Sequence, residues 1–305
     1  MKHTKKITII LILMFIIAQL IGIFVANIYQ PTLAPDTNQT VYNIPYGFEP
    51  PQDISPQTTT FSILIALAIA IGLMLLLMKL KAESFLRLWF FVVVIIGLAL
   101  AINAFIIDIP YASWIAVIIA TPLAIFKIFK RNIIVHNATE LLIYPGIATV
   151  FIPLLNIWAT VVLLLIISVY DMYAVWHSGF MQKMAKYQIE KVRVFSGFFV
   201  PYLNKKDRLA VNKARALQKQ NKKVKGRKVA VNVAILGGGD VVFPIILAGV
   251  VLPVYGILGA LIIALGATIA LSLLFMRSEK GKAYPAMPFI TAGCLVALGL
   301  VYLLF

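Results

Sequence analysis

The 27 lysines and arginines of this 305-residue chain fall in five clusters, and the long segments between clusters contain none. The clusters are Lys2 to Lys6, Lys79 to Arg87, Lys127 to Arg131, fifteen residues between Lys183 and Lys228, and Arg277 to Lys282. Around them lie six apolar runs, at 7–28, 61–78, 88–126, 141–176, 229–276 and 283–305. A membrane-spanning helix needs roughly 20 apolar residues, so three of these runs suit one pass and three are too long for one. Basic residues mark the cytoplasmic side of a membrane protein, and each long run carries them at both ends. Each must return to the side it left, as a hairpin of two helices. The turns are legible as Asp108-Ile109-Pro110 in the first, Pro153 and Asn156 in the second, and Pro253-Val254-Tyr255-Gly256 in the third. The sequence thus predicts an all-α polytopic membrane protein of nine transmembrane helices, with the N-terminus cytoplasmic and Phe305 outside.

Composition agrees, since 62% of the residues are hydrophobic, against about 45–50% in an ordinary soluble domain. The chain reads as one membrane domain over 1–305. An external loop at 29–60 is polar, rich in proline and free of Lys and Arg, and a basic cytoplasmic loop occupies 177–228. The first 28 residues have the basic start and apolar core of a signal peptide. The apolar run is too long for one and no small-residue cleavage site follows, so an uncleaved first span is expected. The net charge of +16 is a topological signal, with attraction to anionic lipid headgroups as a second effect. No nucleic-acid-binding signature accompanies it, so nucleic acid is not an expected partner. Within the basic loop, "VFSGFFVPYL" at 194–203 is apolar and aromatic, and is expected to lie in the membrane interface or to pack under the helices. Cys294 is the lone cysteine, so no intramolecular disulfide can form.

Ionisable groups inside the predicted spans are few. Asp108, Glu140 and Glu279 fall at or near predicted ends, which leaves Asp171 on the sixth span and Asp240 on the seventh as the two deep acids. Lys183 lies 12 residues after Asp171 and Lys228 lies 12 before Asp240. If both helices continue, each carboxylate sits about 18 Å from the cytoplasmic basic loop. Sequential antiparallel helices are usually neighbours, which makes a side-by-side pair reasonable. Two close carboxylates in a low-dielectric site cannot both ionise easily, and such a pair shares a proton. That state suits an aspartic protease, where one carboxylate takes a proton from water and its protonated partner stabilises the oxyanion. Gly237, Gly238 and Gly239 leave room beside Asp240 for another backbone and let the helix bend. The same features also serve a proton- or cation-coupled transporter, or a purely structural anchor, and these physical features leave all three readings open.

The motifs narrow the choice. "YD" at 170–171, "GGGD" at 237–240 and "PAM" at 285–287 resemble the Tyr-Asp, Gly-x-Gly-Asp and Pro-Ala-Leu motifs of the presenilin and signal peptide peptidase family of intramembrane aspartyl proteases. They stand in the family's order and on the sixth, seventh and ninth predicted spans. The resemblance is strong in the C-terminal half and covers the first 140 residues only through span count. It implies a presenilin-like fold and catalytic roles for Asp171 and Asp240. It also implies that Pro285, Ala286 and Met287 shape the site and help hold a substrate strand. Met287 departs from the usual Leu, a change of similar volume and polarity that alters fit more than chemistry. The Tyr170 hydroxyl either orients a carboxylate or faces lipid or a neighbouring helix. The basic clusters give the presenilin-like orientation, so the expected substrates are single-span segments with their N-termini outside.

Other hydrolytic mechanisms find no support in the residues. There is no His-Glu-x-x-His zinc motif, and Ser178 adjoins His177, which directs the two side chains about 100° apart on a helix. No metal or organic cofactor is expected. The expected partners are transmembrane peptide substrates and membrane lipids. The resemblance implies an archaeal, presenilin-like member in a prokaryotic cell membrane, and the compact, prokaryotic-looking chain with short connections makes an obligatory multi-protein assembly less expected than for presenilin.

Overall fold

The computed structural model describes residues 5–33, 40–41, 44–48, 56–130, 132–177, 184, 187–192, 194, 196–202, 232–279 and 284–305. Among these, eight helices are long and apolar enough to cross a membrane. They are α1 (Lys5–Ile28), α2 (Pro56–Lys79), α3 (Glu83–Phe105), α4 (Ala112–Phe129), α5 (Ile133–Phe151), α6 (Ile157–Trp176), α7 (Gly238–Arg277) and α8 (Met287–Leu304). The chain is an integral, multi-pass membrane protein. Its outward surface carries exposed Ile118, Val169, Leu265 and Leu303, side chains that lipid solvates and water does not.

The predicted turns have local causes. Between α3 and α4 the chain turns through Ile106 to Tyr111, the last with φ 61°. Between α5 and α6, Pro153 sits in a short 3-10 turn, Ile152–Leu154, and Asn156 then caps α6 by accepting the Ala159 N–H at 2.7 Å. The third predicted turn takes a different form. Gly238–Arg277 runs as one 40-residue element, broken at Gly256, whose φ of 68° and ψ of −173° are non-helical. Forty helical residues would measure about 60 Å, twice a bilayer's hydrocarbon thickness. The break divides the element into halves of roughly single-pass length.

The core forms where α1 inserts against α7 and α5, with Leu11, Phe15 and Ala18 fully buried on α1 and Leu247 and Ala248 on α7. Without a hydrophobic driving force between helices in lipid, close backbone approach supplies the packing. The second half of α7 meets α8 in this way at Gly266 and Gly293. A Cβ on Gly266 would stand 2.6 Å from the Gly293 carbonyl oxygen.

The fold is not all-α. Thr32–Leu33 (β1) pairs with Thr40–Val41 (β2) in the 29–60 loop. A longer antiparallel pair joins Gly197–Tyr202 (β3) to Asn232–Gly237 (β4), with Gly197 opposite Gly237 and Tyr202 opposite Asn232. The residues 232–237 were expected to begin the seventh helix. They alternate instead: Ala234 and Leu236 are buried at 0% and 2% exposure, while Val233 and Ile235 are exposed at 44% and 40%. A short apolar run rich in β-branched residues and closed by glycines satisfies a strand as readily as a helix, and β3 supplies the partner. Of the aromatic stretch at 194–203, Val194, Phe198 and Val200 therefore pack under the helices, with Phe198 fully buried. Residues 178–183, 185–186, 193, 195 and 203–231, most of the basic loop, lie outside the described residues.

Candidate active site

Asp171 stands near the end of α6, five residues before Trp176, and is 6% exposed. Its Oδ2 accepts the backbone N–H of Met287 at 3.1 Å, and it lies against the backbone of Ala286 as well. Both donors belong to the start of α8, where the first N–H groups have no helical partner and the helix dipole favours an anion. Pro285 and Met287 are buried and Ala286 is half-buried, so the "PAM" residues form the seat of one carboxylate. One turn earlier, Ser168 Oγ and Thr291 Oγ1 share a hydrogen bond of 2.7 Å that ties α6 to α8. Tyr170 is half-buried and within electrostatic reach of Asp171, but makes no hydrogen bond to it.

Asp240 is seated differently. The helix begins at Gly238, so Asp240 occupies its first turn and not the middle of a span. From that position the carboxylate folds back toward the Gly237 backbone N–H, as the third residue of a capping box does. A Cβ on Gly237 would lie 3.0 Å from Asp240 Oδ2, and one on Gly238 would lie 2.6 Å from Ser196 Oγ and 2.8 Å from the Tyr144 ring. At Gly239 a Cβ would touch only the Phe243 ring, at 3.7 Å. Gly238 is thus required by contacts at the site, Gly237 is tight against a movable side chain, and Gly239 is unconstrained. Asp240 lies within electrostatic reach of Asp171. The structure therefore brings the two predicted acids together with Gly237, Gly238 and the "PAM" segment.

Several residues at the site escaped the sequence reading. Gln19, 1% exposed on α1, donates from Nε2 to the carbonyl of Val241 at 3.0 Å. Val241 precedes Pro244 by three residues, and a helix is disturbed around the carbonyls that such a proline faces. Glu140 was placed near a helix end, and Lys127 among the topological charges. They form a buried ion pair at 2.6 Å with side-chain exposures of 1% and 3%. Glu140 is thus a third acid inside the protein. Tyr144, 1% exposed, lies within electrostatic reach of Glu140 and Asp240, and its hydroxyl makes no well-aligned hydrogen bond. The available signal was spacing: Asn137, Glu140 and Tyr144 recur at i, i+3 and i+7, along one face of a helix. Among the described residues, no group of three or more His, Cys, Asp or Glu side chains is arranged to hold a metal ion.

A pair of interacting aspartates among membrane-crossing helices is the arrangement that an intramembrane aspartyl protease requires. The chain belongs to the family described as signal-peptide peptidase, presenilin aspartyl protease, whose sequence model matches residues 14–305. Two crystal forms of a presenilin family intramembrane aspartate protease, in space groups C222 and P2, share the fold. Over 98% of this chain and 99% of the other, the C222 form superposes with a TM-score of 0.61 at 17% identity. For the P2 form the values are 0.59 and 17%, over 97% of each chain. No protein of curated function matches the chain. By family the protein is an aspartic endopeptidase of the membrane.

Proposed function

We propose that Asp171 and Asp240 are the catalytic dyad and that the protein hydrolyses peptide bonds within transmembrane segments of other proteins. The observation that carries this reading is the seating of Asp171 on the Met287 N–H while it interacts with Asp240. In the proposed reaction the pair holds one proton between its two carboxyls. The ionised carboxylate removes a proton from a water as the water oxygen attacks the peptide carbonyl carbon. The protonated partner hydrogen-bonds the developing oxyanion. Collapse of the tetrahedral intermediate breaks the C–N bond, and the departing nitrogen takes the proton held by the dyad. No metal or organic cofactor enters this scheme.

Peptide bonds in a helix are shielded by their own hydrogen bonds, so the substrate unwinds before attack. A strand in extended form would find a template in the edge of β4 opposite β3, which leads directly to Asp240, with Pro285, Ala286 and Met287 across the site. In this proposal the halves of α7 on either side of Gly256 are separate spans, which makes nine, with the N-terminus cytoplasmic and Phe305 outside. The matching substrates are single-span segments with their N-termini outside. Tyr170, within reach of Asp171, serves to shape the site without bonding the carboxylate. The enzyme is of the prokaryotic type and works without accessory subunits. Family membership leaves the coupled-transport reading without support.

The test uses purified protein alone in liposomes, with model transmembrane peptides presented in both orientations. The parent chain is expected to cleave N-out peptides. Asp171→Asn and Asp240→Asn, folded to the same extent, are each expected to lose at least about 10³-fold of the rate. Cleavage retained by either variant, or no cleavage of any peptide by the parent, would overturn the dyad. Preferential cleavage of N-in peptides would overturn the orientation alone.

A further inference from the structure

We infer that His136, Asn137 and Glu140 on α5 act as a surrogate third strand that fixes β3, and through β4 holds Asp240 in place. The inference rests on the proteolytic reading of the dyad, and it assigns positioning residues to that reaction.

The argument starts from strand geometry. Along a β-strand, the backbone groups of alternate residues point to opposite edges. Gly197 and Phe199 are two apart on β3, and their four backbone N–H and C=O groups all meet side chains of α5. Glu140 Oε1 accepts from Gly197 N at 3.4 Å, and the Gly197 carbonyl bonds His136 Nε2 at 2.8 Å. The Asn137 side chain binds Phe199 twice, accepting from its N–H at 2.9 Å and donating to its carbonyl at 2.7 Å. A carboxamide paired in both directions with one residue reproduces what a neighbouring strand's peptide supplies. The edge of β3 facing α5 is thereby closed, while its other edge pairs with β4 over six residues.

The α5 side chains are themselves held. Lys127 of α4 donates to Glu140 at 2.6 Å and lies 3.3 Å from His136 Nδ1. An imidazole that gives its Nε2 proton to Gly197 O has Nδ1 free to accept that lysine proton, so the geometry satisfies both ring nitrogens. Ring contacts add to the dock, with His136 on Phe199 at 4.9 Å and Tyr144 edge-on to Phe198 at 5.4 Å between centroids. A buried ion pair is weak evidence for stability, and its best-attested use is to fix register. Here the register places Gly197 opposite Gly237, three residues before Asp240. Tyr144, from the same face of α5, occupies the space beside Gly238. A slip of β3 by one residue would turn its own side chains to the other face and take Gly197 from its place opposite Gly237, where the turn that carries the carboxylate begins.

Asn137→Ala and Glu140→Gln test the inference in two arms. The first is amide hydrogen exchange over 196–202 and 232–240 in the full-length protein, which does not depend on activity. Asn137→Ala is expected to speed exchange in both segments at least tenfold. Glu140→Gln keeps an acceptor for Gly197 N–H and is expected to have a smaller effect. The second arm is cleavage kinetics at equal folded fraction. For Asn137→Ala, kcat is expected to fall about tenfold or more, with KM within about twofold, because a displaced carboxylate impairs chemistry more than substrate docking. Unchanged exchange in β4 would overturn the surrogate strand. Faster exchange with unchanged kcat would overturn the positioning role. A parent chain that cleaves nothing would overturn the proteolytic reading, and the exchange arm would still uphold or overturn the dock.

Discussion

The two carboxylates of the site are held by different kinds of structure. Asp171 sits near the end of a membrane helix and is fixed by another helix, through the α8 N-terminus and the Ser168–Thr291 contact. Asp240 sits in the first turn of a helix that follows a strand, and its surroundings are a glycine pair, a two-stranded sheet and the polar face of α5. The first seat is made of helix packing and the second of backbone hydrogen bonds outside any helix. Loss of a hydroxyl at the first seat introduces no clash, whereas an added methyl in a close-packed turn with no spare room is felt at once. The difference predicts that the Asp240 seat is the more sensitive of the two to small substitutions.

The largest effect of a seat substitution should come from Gly238→Ala. The added methyl would meet Ser196 Oγ and the Tyr144 ring at 2.6 and 2.8 Å, contacts that force the turn or the ring to move. A displacement of about 1 Å at a catalytic group reduces rate by about 10²-fold. The expected result in a peptide-cleavage assay is a loss of that order, with the protein still folded by thermal melting. Gly237→Ala should rank next, at about tenfold, because its methyl would stand 3.0 Å from the tip of the Asp240 side chain, a flexible obstacle. A loss at Gly237 larger than at Gly238 would break the view that the turn is limited by α5 and β3.

On the other seat, Ser168→Ala removes the hydroxyl bonded to Thr291. A buried hydrogen bond of this kind contributes about 1 kcal/mol, and the Thr291 hydroxyl retains the Leu164 carbonyl as a long-range partner at 3.5 Å. The expected outcome is a small drop in melting temperature with cleavage reduced no more than about threefold. A loss as large as that of Gly238→Ala would erase the contrast between the seats.

Much of this architecture is readable before any coordinates. The clusters of Lys and Arg and the apolar runs between them mark the helices, because lipid imposes a length and the membrane a charge asymmetry. Asp171 and Asp240 are conspicuous because ionisable groups are rare in such runs. Other features are hidden for physical reasons. In 232–237 an apolar segment too short to show a helical period belongs to either element, and only its partner β3, some thirty residues away, decides. Lys127 looks like one more topological charge, since nothing local reveals that Glu140 pairs with it 13 positions later. Gln19 carries no charge, and a search limited to ionisable groups passes over it.

The smallest expected effect completes the comparison, and it separates the two meanings a glycine can have. Gly239 lies between Gly238 and Asp240, inside the same motif, yet a methyl there would meet only the Phe243 ring at 3.7 Å, an ordinary contact. Its position is helical and φ is not in the left-handed region, so alanine fits the backbone without strain. Replacing glycine by alanine at a compatible helical position raises stability by about 0.4–1 kcal/mol, chiefly by restricting the unfolded chain. Gly239→Ala should therefore keep cleavage within about twofold and raise the melting temperature slightly. If it instead abolishes cleavage with the fold intact, the space beside Asp240 is needed by the substrate strand, which then becomes the reason for the third glycine.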